Sequence, residues 1–376
     1  MCGDSGAGPH DGHDHAHGDG PDPDEVAVAL PRDAEGDAVD PIALAPVDEV
    51  VVTTLVDNSY DGLLTNVGPA RRWPMPLSPA VAAPQFVGDH TVTGLVAEHG
   101  FSALVTVRRG DRSHTLLLDT GVSPDGMAGN MERLGVATGD IEAVVLSHGH
   151  FDHAGGFPGL ARLRGRSGLP LTVHPLVWTP RRVDVGDDRY WELPTLRRSS
   201  LEAEGFTVIE RRQPSLLLDD CVLVTGEVDR TTDFEHGMPR HEALAGGSWE
   251  PDPLILDDQA VVVHVRGWGL VVITGCGHAG VVNTVQHARS VVREAPDYGL
   301  IGGLHLFASS EREVEWTATK LKEFGLAHLL GAHCTGLEAL YRLRQLAGLS
   351  RKTAVVGAVG SSFSLDGGID PLDLAR

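Results

Sequence analysis

Apolar residues are sparse before residue 49, and from there they gather into short runs separated by Gly-, Asp- and His-bearing turns. The first run, Val50-Val51-Val52-Thr53-Thr54-Leu55-Val56, is β-branched and nearly continuous, as in a strand buried on both faces, and Asp57-Asn58 end it. Ser102 to Arg108 and Thr115 to Leu118 predict two more strands, the second closing on Asp119-Thr120-Gly121. Ser123 is placed to cap a helix running through Leu134, with Gly135 as its stop, and a strand from Ile141 to Leu146 follows. Residues 157 to about 250 hold strand candidates at Leu171 to Trp178 and Ser215 to Thr225 among Arg- and Asp-rich loops, the pattern of an insertion that shapes a substrate cleft. Gln259 to Arg266 and Gly269 to Thr274 predict a hairpin around Gly267-Trp268-Gly269. Then come a helix from Ala279 to Val292, a strand ending at Gly302-Gly303-Leu304-His305, a helix from Ser310 to Phe324, a strand running into His333, a helix from Leu337 to Leu346 and a last strand from Val355 to Val359. The succession strand, histidine-bearing loop, helix recurs three times, with each histidine where open α/β sheets place ligands.

The densest chemistry follows the strand at Ile141: Ser147-His148-Gly149-His150-Phe151-Asp152-His153. Three imidazoles and a carboxylate within six residues would each need a buried partner, and metal satisfies them together. His148 and His150 are positioned to point one way as i, i+2 neighbours, while the turn brings Asp152 and His153 to a second position. We therefore expect two adjacent divalent metal ions, His148 and His150 serving the first, Asp152 and His153 the second. About three protein ligands per metal and an open position are needed for hydrolysis, and His278 and His333 are the candidates to complete the sets. Asp152 would have a catalytic role, and His305 could bind an oxyanion or protonate a leaving group. His174, His236 and His241 read as surface or core residues. Gly155-Gly156 would let the backbone approach the metals or substrate.

Composition narrows the partners. The 376 residues carry 30 Lys and Arg against 52 Asp and Glu, a net charge of −22, which opposes attraction to nucleic acid or an anionic membrane and leaves a small molecule as the expected substrate. No apolar run approaches the roughly 20 residues of a membrane span. Cys2, Cys221, Cys276 and Cys334 form no CxxC pair, so a reducing, cytoplasmic setting is expected. Residues 1 to 48, rich in His, Asp and Gly, read as a disordered leader whose His10, His13, His15 and His17 could bind metal loosely, ahead of one folded domain over 49 to 376. The oligomeric state is not legible.

The run His-x-His-x-Asp-His after a strand resembles the signature of the metallo-β-lactamase superfamily. That resemblance implies an α/β fold, an αββα sandwich of two mixed sheets with the metals along one edge, and a metal-activated hydroxide as nucleophile. It also implies that Asp119 orients the ligand turn from behind the ligands, and that Cys276 sits where other members have a bridging carboxylate or a thiolate ligand, its role here open. A thiolate would bias the site toward zinc, whereas imidazoles and carboxylates also accept manganese or iron. Together with Leu55-Val56-Asp57-Asn58, Glu98-His99-Gly100, Asp119-Thr120-Gly121, Gly275-Cys276-Gly277-His278-Ala279-Gly280, Gly302-Gly303-Leu304-His305-Leu306 and His333-Cys334-Thr335-Gly336, it is similar to the branch named after 7,8-dihydropterin-6-methyl-4-(β-D-ribofuranosyl)-aminobenzene-5′-phosphate synthase. The expectation is a metal-dependent hydrolase of a small phosphorylated or ester substrate. The alternatives are the pterin-linked synthase, a transferase; an iron-dependent oxidoreductase of the same fold; and a non-catalytic metal carrier.

Overall fold

The computed structural model describes residues 41–292 and 296–365; the histidines of the leader lie outside the described residues. Two mixed sheets face each other. The first, of eight strands, runs in the order Phe206–Glu210, Leu169–Val173, Ile141–Val145, Arg112–Leu118, Ser102–Arg109, Glu49–Val56, Ser362–Ser364, Ala70–Arg71. The second, of seven, runs Ser215–Leu217, Val222–Val224, Ala260–Val265, Gly269–Thr274, Asp297–Gly303, His328–Ala332, Ala354–Val356. The β-branched runs are near-continuous because each central strand is covered on both faces. Val52, Val105, Leu116 and Val145 meet Val263, Ile273, Ile301 and Leu330 between the sheets. Helices Gly126–Leu134 and Phe157–Arg164 pack on the outer face of the first sheet, and Val281–Val291, Glu311–Glu323 and Leu337–Leu346 on that of the second. The result is the expected αββα sandwich.

Some local expectations shift. The strand expected to reach Trp178 stops at Val173, because Pro175 opens a 3₁₀ turn through Trp178 and the His174 ring accepts the Leu176 amide. Ser215 to Thr225 is a tight hairpin rather than one strand, turned by Leu218, Asp219 and Asp220 at φ 56°, 54° and 63°. The last expected strand ends early, at Val356, and Ser362–Ser364 then crosses to pair with Glu49–Val56, too short a segment to signal itself. Ahead of Glu49, Ile42 donates to the Val291 carbonyl, Leu44 is buried against the second sheet and Val47 bridges to Val265. These apolar residues are too spread out to read as an element, since their partners come from far along the chain.

Within 157 to 250 the chain builds a third, four-stranded antiparallel sheet: Arg189–Glu192, Arg181–Gly186, His241–Ala245, Ser248–Pro251. Charged, Arg-rich strands half-exposed to solvent carry little hydrophobic signal. Among the described residues, no helix is long and apolar enough to cross a membrane.

Candidate metal centre

Strand Ile141–Val145 ends at the sheet edge and hands the chain to the histidine run. Gly149, between two of those histidines, donates its N–H to Asp257 Oδ2 at 2.8 Å, and a Cβ there would lie 2.6 Å from the Val177 carbonyl oxygen. The one-turn helix Phe151–Ala154 then carries Asp152 and His153 inward. Two groups of donors result. In one, the Nε2 atoms of His148 and His278 face each other at 3.1 Å, with the His150 ring 4.5 and 4.8 Å from theirs, centre to centre. In the other, Asp152 Oδ2 lies 3.7 Å from His153 Nε2 and 3.3 Å from His333 Nε2. The Cys276 sulfur is within 4.8 Å of donor atoms of both, with His148 and His278 on one side and His153 and His333 on the other. Segments nearly two hundred residues apart thus supply one buried cluster. The His305 ring stands 4.3 Å from that of His278, its Nδ1 3.5 Å from Cys276 Sγ, on a backbone at φ 50°.

A layer of hydrogen bonds aims these rings. Asp119 Oδ2 accepts from His153 Nδ1 at 2.7 Å and from the Ser147 hydroxyl at 2.7 Å, while its Oδ1 takes the Ser147 amide. Ser147 Oγ lies 2.9 Å from His148 Nδ1. Asp57 accepts the His333 amide, and Asn58 Oδ1 lies 3.2 Å from His333 Nδ1. Asp258 accepts the Ala279 amide next to His278, and Asp257 is locked between Gly149 and the buried Arg181. Gly155 and Gly156 admit backbone too, though not toward the metal position: a Cβ on either would overlap a carbonyl oxygen, of Val122 and Thr120 respectively. These glycines let the one-turn helix Phe151–Ala154 press against the loop that carries Asp119.

Electrostatics prepare the donors. Burial pushes His150 down to about 3 and holds His148 and His278 well below the usual imidazole range, so these rings are neutral with lone pairs available. Burial would lower His153 as well, but Asp152 and Asp119 raise it to about 9, while His153 and His333 keep Asp152 below the carboxylate range despite its own burial. His150 Nε2 and His153 Nε2 are buried without a hydrogen-bond partner. Orphaned ring nitrogens of this kind, among imidazoles, a carboxylate and a thiol, could hold a divalent metal, which at His153 would displace the ring's extra proton.

Sequence reasoning missed some residues here. His99 Nε2 lies 3.4 Å from Asp152 Oδ2, and the His241 ring 5.2 Å from that of His150. Glu98-His99-Gly100 was at least a recognisable motif; His241, read as surface or core, comes from the third sheet with no signal around it. Asp257 and Asp258 gave no sign beyond their acidity.

A model of the metallo-beta-lactamase superfamily matches residues 97–292, which include the run from His148 to His153 and His278. The chain belongs to the metallo-β-lactamase superfamily. A protein of Methanocaldococcus jannaschii named 7,8-dihydropterin-6-methyl-4-(beta-D-ribofuranosyl)-aminobenzene-5'-phosphate synthase is 26% identical over 250 residues, 65% of this chain and 83% of that protein. Ribonuclease Z of Thermobifida fusca is 31% identical over 159 residues, 41% of this chain and 44% of that protein. Among solved structures, one described as a metal-dependent hydrolase of the beta-lactamase superfamily covers 84% of this chain and 98% of its own at a TM-score of 0.61 and 23% identity, a likeness of fold.

In this superfamily member the donor cluster forms the floor of a cleft of about 470 Å³. His150, Asp152, His278 and His333 face it from below, and Val183, Trp191 and His241 of the third sheet wall one side.

Proposed function

We propose that the chain is a metal-dependent hydrolase of a small phosphorylated or ester substrate. The observation that carries this reading is that two groups of buried donors, His148/His150/His278 and Asp152/His153/His333, share one neighbour, Cys276, and open into one cleft. Metal held there would acidify a water to a pKa of ~7 and polarise the oxygen under attack. Around it the chain's own groups have separable tasks. Asp119 fixes the tautomer of His153 so that Nε2 faces inward, and Asn58 does the same for His333. His305, at the cleft beside His278, is placed to hold an oxyanion or return a proton to a leaving group. Imidazoles with one carboxylate suit zinc, manganese or iron, and the sulfur of Cys276 favours zinc among them. Free, closely spaced thiols fit a cytoplasmic setting.

Purified full-length protein loaded with zinc, manganese or iron, and assayed on phosphodiesters, phosphomonoesters, lactones and thioesters, tests this. Two metals per chain and metal-dependent turnover of one class are expected; stoichiometric iron with redox turnover and no hydrolysis would overturn it. The relative from M. jannaschii supports a second reading, a synthase joining a pterin to a ribosylated aminobenzene, so condensation of such substrates without ester hydrolysis would move the assignment there. A metal carrier would instead lose its tightly held metal when residues 1 to 40 are removed.

A further inference from the structure

None of His148, His150, Asp152, His153, His278 and His333 lies on the third sheet, yet the sheet walls the cleft. His241, Val183 and Trp191 are cross-strand partners on three adjacent strands, so their side chains share one face, and all three line the cleft. The opposite face is closed by polar stacking: the Arg182 guanidinium lies 3.7 Å over the Tyr190 ring and 4.5 Å over Trp249, and pairs with Glu242 at 2.6 Å. The sheet is pinned to the metal centre from its first residue, since buried Arg181 binds Asp257, which in turn holds Gly149.

Trp191 is half exposed, its ring edge-on to Phe151 at 5.6 Å, directly before Asp152. Phe307, 62% exposed, stands at the same cleft, and a Cβ on Gly336 would come within 3.0 Å of the Phe307 backbone, so the glycine makes room for it. Large aromatic side chains left open at a cleft mouth have an unfilled partner. Among the described residues lining the cleft there is no Lys or Arg, and Arg181, nearest in the sheet, is consumed by Asp252 and Asp257. Apart from metal and the imidazoles, a phosphate dianion would meet no Lys or Arg side chain in this cleft, whereas a planar apolar group would meet the exposed rings of Trp191 and Phe307.

We propose that the sheet is a specificity wall selecting esters that carry an uncharged aryl group, over phosphorylated substrates, with Trp191 as the specificity-determining residue. This rests on the hydrolase reading and narrows it. In the reaction the oxygen of water bonds to the acyl carbon, the bond from that carbon to the aryl oxygen breaks, one proton goes to the leaving phenol and the other leaves with the product acid.

The test uses the full chain loaded with zinc, and 2-naphthyl acetate, ethyl acetate and 2-naphthyl phosphate. Trp191→Ala should raise KM for the naphthyl ester about tenfold with kcat little changed, Trp191→Phe should restore most of it, and KM for ethyl acetate should stay put. An unchanged KM in Trp191→Ala, or a higher kcat/KM for the naphthyl phosphate than for the acetate, would overturn the proposal. If these substrates and the wider panel of phosphodiesters, lactones and thioesters are all left intact, the hydrolase reading is what has failed. Calorimetric binding of 2-naphthol then judges the wall alone: binding about tenfold weaker in Trp191→Ala supports it, and equal binding sinks it.

Discussion

His153 donates its Nδ1 proton to Asp119 at 2.7 Å, with both side chains fully buried. That bond turns Nε2 of the ring toward the cleft, and the same carboxylate steadies Ser147 beside His148. Loss of such a partner typically weakens metal binding about 10- to 100-fold. Asp119→Asn should therefore weaken zinc binding by roughly that factor while the circular dichroism spectrum stays native; unchanged affinity in a competition titration would remove Asp119 from the role given to it.

The same pair sets a pH dependence. In metal-free protein, burial works against the His153 cation, yet Asp152 and Asp119 raise it from 6.5 to about 9. A raised folded pKa means that the folded state holds the proton more tightly, so the contribution is complete below the unfolded value and is lost as pH rises through about 9. Denaturation of chelated protein should show the wild-type advantage over Asp119→Asn shrinking between pH 6.5 and 9. Incoming metal must displace that proton, so zinc affinity should rise over the same window.

Asp152 is the carboxylate of the donor cluster, within 3.3 to 3.7 Å of His333, His99 and His153. Asp152→Ala should leave the fold intact, drop bound metal from two equivalents toward one and remove nearly all turnover. Full occupancy and wild-type rate, measured by elemental analysis and assay together, would count against its place in the site.

Arg181 is buried between Asp252 and Asp257. Removing one partner of a buried ion pair typically costs about 3–5 kcal/mol, because the other charge is left stranded. Arg181→Met should lower stability to urea by that order, and Asp257→Asn in the same chain should return part of it. Additive losses in the double variant would show that the two residues do not act as a unit.

Gly155 lies against the Val122 carbonyl, whereas Gly139 faces open space. Gly155→Ala should lower the melting temperature markedly, since backbone must shift, and Gly139→Ala should leave it nearly unchanged. Equal melting temperatures would mean that the helix Phe151–Ala154 does not press on the Asp119 loop as closely as described.

The central strands were legible because buried strands announce themselves, as in Val50 to Val56, Gln259 to Arg266 and Gly269 to Thr274, while their arrangement as a sandwich was implied by the family resemblance of the histidine run. His148, His150, Asp152 and His153 were legible for a different reason, their crowding into one turn. What each strand run cannot carry is the identity of its neighbour, which is why Ser362–Ser364, paired with the first strand, went unread.

Sequence alone determined the succession of strands and helices and the histidine-rich turn after the strand at Ile141, since both are written in short-range periodicity and local density. Only tertiary structure decided that Cys276 lies within reach of both donor groups, that Arg181 and Asp257 brace Gly149, and that a charged third sheet sets Trp191 and His241 over the cleft. Those relationships join residues tens to hundreds of positions apart. They depend on which chain surfaces meet when the core is buried, and no local pattern encodes that meeting.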